Sequence, residues 1–138
     1  MFELEKGVES YSLRRDGGES FYIGGRKSNF KIKEFACKDG SDEIKIEDEL
    51  VEKLQIIRSY FNAPVTINSA YRTPSWNRSV GGVTNSNHVL GKAADIVVKG
   101  HSPSEVAAFA KKIGFRGVGT YKDFVHVDTR EKVSYWNG

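Results

Sequence analysis

The sequence holds one cysteine, one methionine, three prolines and three histidines in 138 residues. A lone thiol excludes an intrachain disulfide and any zinc site built from several thiolates of this chain. Cys37, in Phe35-Ala36-Cys37-Lys38, reads as a small buried apolar side chain rather than a nucleophile. No apolar run approaches the roughly 20 residues that cross a bilayer as a helix. Met1 to Ser10 alternates charged and apolar residues and has no apolar h-region, so synthesis in the cytoplasm without a secretory signal is expected. Arginine-rich runs with interleaved aromatics are missing, which argues against a nucleic-acid partner. Gly24-Gly25-Arg26-Lys27-Ser28 is too short for a phosphate loop and reads as a basic turn. Lys38-Asp39-Gly40-Ser41-Asp42 lacks the later acidic spacing of a calcium loop.

What is present describes an ordinary folded chain. Hydrophobic residues make up 38% and charged residues 28%, enough for one domain with a real core. The net charge of +3 suits an anionic polymer such as a bacterial cell wall without requiring one. Nothing resembles a dimer seam, so a monomer is expected.

The pattern predicts an N-terminal extension over residues 1–27 and one main unit over 28–138. Residues 8–23 read as a hairpin turning at Arg15-Asp16-Gly17-Gly18. Phe30 to Phe35 alternates like a half-buried strand or an extended packing arm. Leu50, Leu54, Ile57 and Phe61 recur at helical spacing, which predicts a helix from about Glu47 to Asn62. Pro64 to Ala70 reads as a strand, and Ser75 to Ser79 as a short helix opened by Pro74. Lys92 to Val98 reads as a strand. Ser102-Pro103-Ser104-Glu105 has the form of a capping box and starts a helix to about Ile113. Gly117 to Tyr121 and Phe124 to Asp128 read as a hairpin joined at Lys122-Asp123. His101 reads as structural or exposed. Trp136 reads as a core plug in preference to a groove wall. The fold class is α+β, a small single domain with an antiparallel sheet and flanking helices.

Two stretches carry chemistry. Ser86-Asn87-His88-Val89-Leu90-Gly91-Lys92-Ala93-Ala94-Asp95 places a histidine and an aspartate around a glycine that can turn the chain back. Asp95 at a strand among alanines and aliphatics needs a partner, because a buried lone carboxylate is costly. Asp123-Phe124-Val125-His126-Val127-Asp128 supplies the second imidazole. His88, Asp95 and His126 would give zinc two nitrogens and one oxygen, leaving a fourth position for a water whose pKa falls to about 7. Asp123 and Asp128 are the candidates for taking that water's proton. Arg72 sits where a strand meets a loop; on that segment alone it reads as a surface salt bridge, and beside a metal site it could stabilise an oxyanion or bind a substrate carboxylate.

Ser86-x-His88-x-x-Gly91-x-Ala93-x-Asp95 resembles the Ser-x-His-x-x-Gly-x-Ala-x-Asp signature of the zinc D,D-carboxypeptidase family. That family includes vancomycin-resistance D-Ala-D-Ala dipeptidases and phage L-Ala-D-Glu endopeptidases. Asp123-x-x-His126 resembles its second signature, and Tyr71-Arg72-Thr73 its arginine-bearing strand end, with the resemblance running over roughly residues 28–130. The resemblance implies the hedgehog/DD-peptidase-like fold and one Zn2+ per chain held by His88, Asp95 and His126. It implies Asp123 as general base and acid, and Arg72 polarising the scissile carbonyl. Ser86, Arg72 and Tyr71 would contact substrate. Asp128, where some members carry a histidine, would orient an imidazole from outside the ligand set. The implied activity is zinc-dependent hydrolysis of peptidoglycan stem peptides, of D,D-carboxypeptidase or L-Ala-D-Glu endopeptidase type. Such an enzyme would act at the cell wall after release, or within a phage particle. A cytoplasmic D-Ala-D-Ala dipeptidase and a non-catalytic zinc-bound module of the same fold are the alternatives.

Overall fold

The structure is a computed structural model that describes residues 7–138 and the backbone of residues 2 and 3. Residues 1 and 4–6 of the expected N-terminal extension lie outside the described residues. The chain begins with β1 (Phe2–Glu3) and β2 (Val8–Ser12), then a single helical turn, α1 (Leu13–Asp16). β3 (Ser20–Ile23) and β4 (Arg26–Lys31) follow, and β5 (Glu43–Glu47) leads into α2 (Asp48–Phe61). Next come β6 (Val65–Ser69), α3 (Pro74–Ser79), β7 (Ala93–Val98) and α4 (Pro103–Lys112). β8 (Gly117–Thr120), β9 (Val125–Asp128) and β10 (Ser134–Asn137) close the fold.

The hairpin expected over residues 8–23 does not form. β2 pairs antiparallel with β5, and β3 pairs with β4. Local hydrogen bonds explain the difference. Ser12 Oγ accepts from the Arg15 amide at 3.2 Å, and the Asp16 carboxylate accepts from the Ser12 amide at 2.9 Å. These wind residues 13–16 into a helical turn that sends β2 away from β3. The true hairpin turns at Gly24 and Gly25, whose φ angles of 56° and 79° fit a tight reversal. The strand read at Phe30 ends at Lys31, and Ile32–Phe35 form a 3-10 turn. Its three-residue period buries both Ile32 and Phe35, so the alternating pattern serves two geometries in succession.

The second half forms a five-stranded sheet in the order β10-β8-β9-β7-β6. The strands are antiparallel except at its outer edge, where β10 runs parallel to β8. The sheet is therefore mixed rather than antiparallel throughout. The chain leaves β9 at Asp128 and passes β8 before β10 pairs on its far side. Ser134 to Asn137 is too short to show a strand period and gave no sign of that strand.

One sheet face is apolar and the other carries the polar groups. Ala94, Ile96, Val98, Val118, Val125 and Val127 are buried with Leu54, Ile57, Val106 and Ala110 of α2 and α4. Burial of each large aliphatic side chain contributes about 1.5–3 kcal/mol, so this face fixes the register of β7, β8 and β9. Strand alternation then puts Asp95, Gly117, Gly119, His126 and Asp128 on the opposite face. Pairing lines up Trp136, Gly119, His126, Asp95 and Ser69 in one row across all five strands. Among the described residues, no helix is long and apolar enough to cross a membrane.

Candidate metal centre

His88 reaches the row from the turn after α3. The residue is 3% exposed and its Nδ1 lies 2.7 Å from the Ala70 carbonyl oxygen. A carbonyl only accepts, so Nδ1 carries the proton and Nε2 offers its lone pair. The turn is tied down twice more. Ser86 Oγ accepts from the His88 amide at 3.1 Å, and the His88 carbonyl accepts from the Arg72 amide at 3.2 Å. Gly91 makes the return possible. Its φ is 78°, and a Cβ there would stand 2.7 Å from the Lys45 carbonyl oxygen of β5.

Asp95 and His126 face each other from paired positions on β7 and β9. Asp95 Oδ1 lies 3.0 Å from His126 Nδ1 and 3.4 Å from His88 Nε2. One ligand atom from each residue can be chosen so that all lie within 4.8 Å of one another. Tetrahedral zinc with bonds near 2.0–2.1 Å needs ligand atoms roughly 3.3 Å apart, so the two spacings from Asp95 to the imidazoles fit that ion. Burial works against the charged form of Asp95, but in the metal-free site His126 Nδ1 and His88 Nε2 donate to it when those rings are doubly protonated, and this outweighs burial; zinc takes the place of those protons. These contacts hold the carboxyl below its ordinary range, so it stays anionic for a cation.

Asp128 stands behind His126. It is fully buried, and its Oδ2 lies 2.7 Å from His126 Nε2. With a proton on Nε2 directed at this carboxylate, Nδ1 is left to bind the metal. Asp128 also takes a paired contact from Arg130, Nε to Oδ1 at 2.9 Å and Nη2 to Oδ2 at 2.6 Å. Burial opposes its ionisation, yet Arg130 and His126 together keep its pKa below the ordinary carboxylate range. Gly117 leaves the room: a Cβ on it would fall 2.0 Å from Asp128 Oδ1.

Around the three ligands lies an open cavity of about 470 Å³. Arg72, Ser86, Tyr121, Phe124, Arg130 and Trp136 line it together with His88, Asp95 and His126. Arg72 donates from Nη2 to Asp95 Oδ2 at 3.5 Å, from Nε to Ser69 Oγ at 3.2 Å, and from Nη1 to Asn77 Oδ1 at 3.1 Å. The structure thus brings together His88, Asp95, His126, Arg72, Ser86 and Asp128.

Two expected residues stand apart. Tyr71 is 4% exposed and packed in the hydrophobic core, in the irregular segment after β6, where its amide donates to the Phe35 carbonyl at 3.1 Å. Asp123 is exposed in the turn before β9 and lines a neighbouring cleft with Lys122, His101 and Val125. The Phe124 ring stacks on Tyr121 at 4.5 Å and lines both spaces.

Trp136 corrects the expectation of a core plug. Its indole lies over Gly119, where a Cβ would come within 2.4 Å of it, and stacks obliquely 5.2 Å from the His126 ring. It is a wall of the cavity, fixed by a 2.9 Å bond from its Nε1 to the Tyr121 hydroxyl. Asn77 and Arg130 were missed by the sequence reading. An asparagine inside a short helix was the one sign of Asn77 in the sequence, and the structure buries it. It accepts from Arg72 and donates to the Val83 carbonyl at 2.8 Å.

Comparison with known proteins agrees with this geometry. The family profile described as Peptidase M15 matches residues 27–128. A protein named "Zinc D-Ala-D-Ala carboxypeptidase" from Streptomyces albus G is 33% identical over 81 residues, 54% of this chain and 32% of its own length. "Probable peptidoglycan L,D-endopeptidase MepK" of Haemophilus influenzae is 33% identical over 104 residues, 68% of this chain and 55% of its own length. The chain therefore spans about a third to about half of these curated relatives.

Proposed function

Because this chain belongs to the Peptidase M15 family, whose zinc ligand set it carries as His88, Asp95 and His126, we propose that it is a zinc-dependent peptidase acting on peptidoglycan stem peptides. The observation that carries the reading is the convergence of Arg72 and three zinc-type ligands on one open cavity. Bound zinc supplies Lewis acidity and a water that ionises near neutral pH.

The remaining work belongs to the chain. The Ala70 carbonyl and the Asp128 carboxylate hold the two imidazoles in the tautomers that expose Nε2 of His88 and Nδ1 of His126. Arg72 is fixed by Ser69, Asn77 and Asp95 so that its guanidinium faces the cavity. There it can polarise a scissile carbonyl and stabilise negative charge on its oxygen. Ser86 holds the His88 turn and presents its edge to the peptide. The buried, doubly paired Asp128 suits orientation of His126 better than proton transfer. Asp123 keeps the sequence spacing of the family's base, and it would have to enter past Phe124 to serve.

The names of the relatives favour cell-wall peptides as substrates and leave D,D-carboxypeptidase and endopeptidase types both open for this chain. The test is digestion of purified peptidoglycan, with and without chelator, followed by mass spectrometry of the released fragments. Fragments that vanish with chelator and return with zinc support the reading, and their masses name the bond. Zinc-loaded protein that releases nothing from several wall types points to the non-catalytic module.

A further inference from the structure

The cavity carries positive charge on two sides. Arg72 enters beyond the end of β6 and Arg130 beyond the end of β9. Asp95 is the one carboxylate among the described lining residues, and it belongs to the metal. With zinc in place the space a peptide enters is cationic, which favours an anionic ligand.

The two arginines are held differently. Each guanidinium nitrogen of Arg72 has a protein partner. Arg130 is engaged along a single edge, through Nε and Nη2 to the two oxygens of Asp128. Its Cζ lies 5.0 Å from the Trp136 ring centroid, so one contact fixes the guanidinium edge-on and the other face-on. The far edge, Nη1 with the outer proton of Nη2, retains donors in the geometry that matches a carboxylate. The side chain is 30% exposed and lines the cavity, and among the described residues no hydrogen-bond partner holds this edge. Arg130 is also pre-organised. Asp128 and Trp136 have already removed its rotamer freedom, which lowers the cost of binding.

We propose that the free edge of Arg130 binds a carboxylate of the substrate on the Trp136 side of the cleaved bond, and so selects stem peptides with a free carboxylate there over their carboxamide forms. This rests on the peptidase reading above. A carboxamide loses the charge and turns an N–H group towards a donor, leaving the guanidinium edge poorly paired. Arg72 is held by its partners and has only the second N–H of Nη1 and of Nη2 to offer the reacting carbonyl, so the two cations divide chemistry from recognition.

The test compares two stem peptides that differ only in a carboxylate or carboxamide beside the cleaved bond. Zinc-loaded wild type, Arg130→Gln and Arg130→Lys are assayed, with zinc content measured on each because Arg130 also neutralises Asp128. Wild-type kcat/KM is expected to favour the carboxylate at least about tenfold. Arg130→Gln brings the ratio close to one, and Arg130→Lys, a point charge without the fork, leaves a reduced preference. A wild-type ratio near one overturns the proposal. So does an Arg130→Gln protein that loses rate equally on both peptides, since Arg130 would then serve only Asp128. Should Arg130→Gln not fold, Arg130→Lys decides: an undiminished preference overturns the proposal. If wild type cuts neither peptide, the peptidase reading fails, and calorimetric titration with the same pair isolates the binding claim. Carboxylate-selective binding that Arg130→Gln or Arg130→Lys weakens then sustains it, and equal or absent binding of the pair by wild type refutes it.

Discussion

At the scale of single residues, the site depends on groups that never touch the metal. Asp128 is the clearest. It accepts from His126 and Arg130 at once, and it is fully buried. Asp128→Asn keeps the shape and removes the charge, so the protein is expected to fold while zinc affinity falls about 10–100-fold. Competition with a calibrated chelator measures this, and an unchanged affinity would leave His126 oriented by something else. Gly119 is a steric counterpart, since the indole of Trp136 occupies the place of its missing Cβ. Gly119→Ala should displace Trp136 and destabilise the fold by about 1–3 kcal/mol, read from denaturant unfolding. Asp123 tests the sequence reading itself. Because it lines the neighbouring cleft, Asp123→Asn is expected to retain zinc and most turnover. A hundredfold fall in kcat would show that the turn before β9 carries the carboxylate past Phe124 during the reaction.

At the scale of elements, periodicity was readable where one face packs on a core. The apolar stripe of α2 and the capping box of α4 are where the pattern put them. Ser102 Oγ accepts from the Glu105 amide at 3.2 Å, and Glu105 Oε1 accepts from the Ser102 amide at 3.0 Å. Removing that cap by Ser102→Ala should cost about 1 kcal/mol of stability and leave turnover untouched, because α4 packs on the apolar sheet face. A matching loss of activity would mean that α4 reports to the site. Pairing was less legible than element type. The sequence of β2 is equally compatible with β3 and β5, and hydrogen bonds of Ser12 and Asp16 decide between them. β10 escaped because Ser134 to Asn137 has neither alternation nor β-branched residues. Its role is set by the space that Gly119 leaves on β8 for Trp136.

At the scale of the whole molecule, the ligands were legible because the metal demands particular atoms. His88, Asp95 and His126 were picked out by residue type and by the Gly91 turn, and they converge within 4.8 Å. Arg130 and Asn77 were not legible. Their importance comes from contacts across the fold, to Trp136 and Asp128 in one case and to Arg72 and Val83 in the other. The same convergence couples metal to stability. His88, Asp95 and His126 join a turn to two neighbouring strands, so zinc binds the folded chain selectively. At about a hundredfold excess of zinc over its dissociation constant, binding adds roughly 2.7 kcal/mol. That should raise Tm by about 5–10 °C over the chelated protein; identical melting with and without chelator would deny that the site is formed in the folded state.

The most direct measurement is zinc titration of metal-free protein, following bound zinc and hydrolysis of a stem peptide in the same samples. Turnover should rise in proportion to bound zinc and level off at one ion per chain, with His126→Ala showing neither. One zinc bound per chain with no hydrolysis, or hydrolysis that persists in the metal-free protein, would contradict the account.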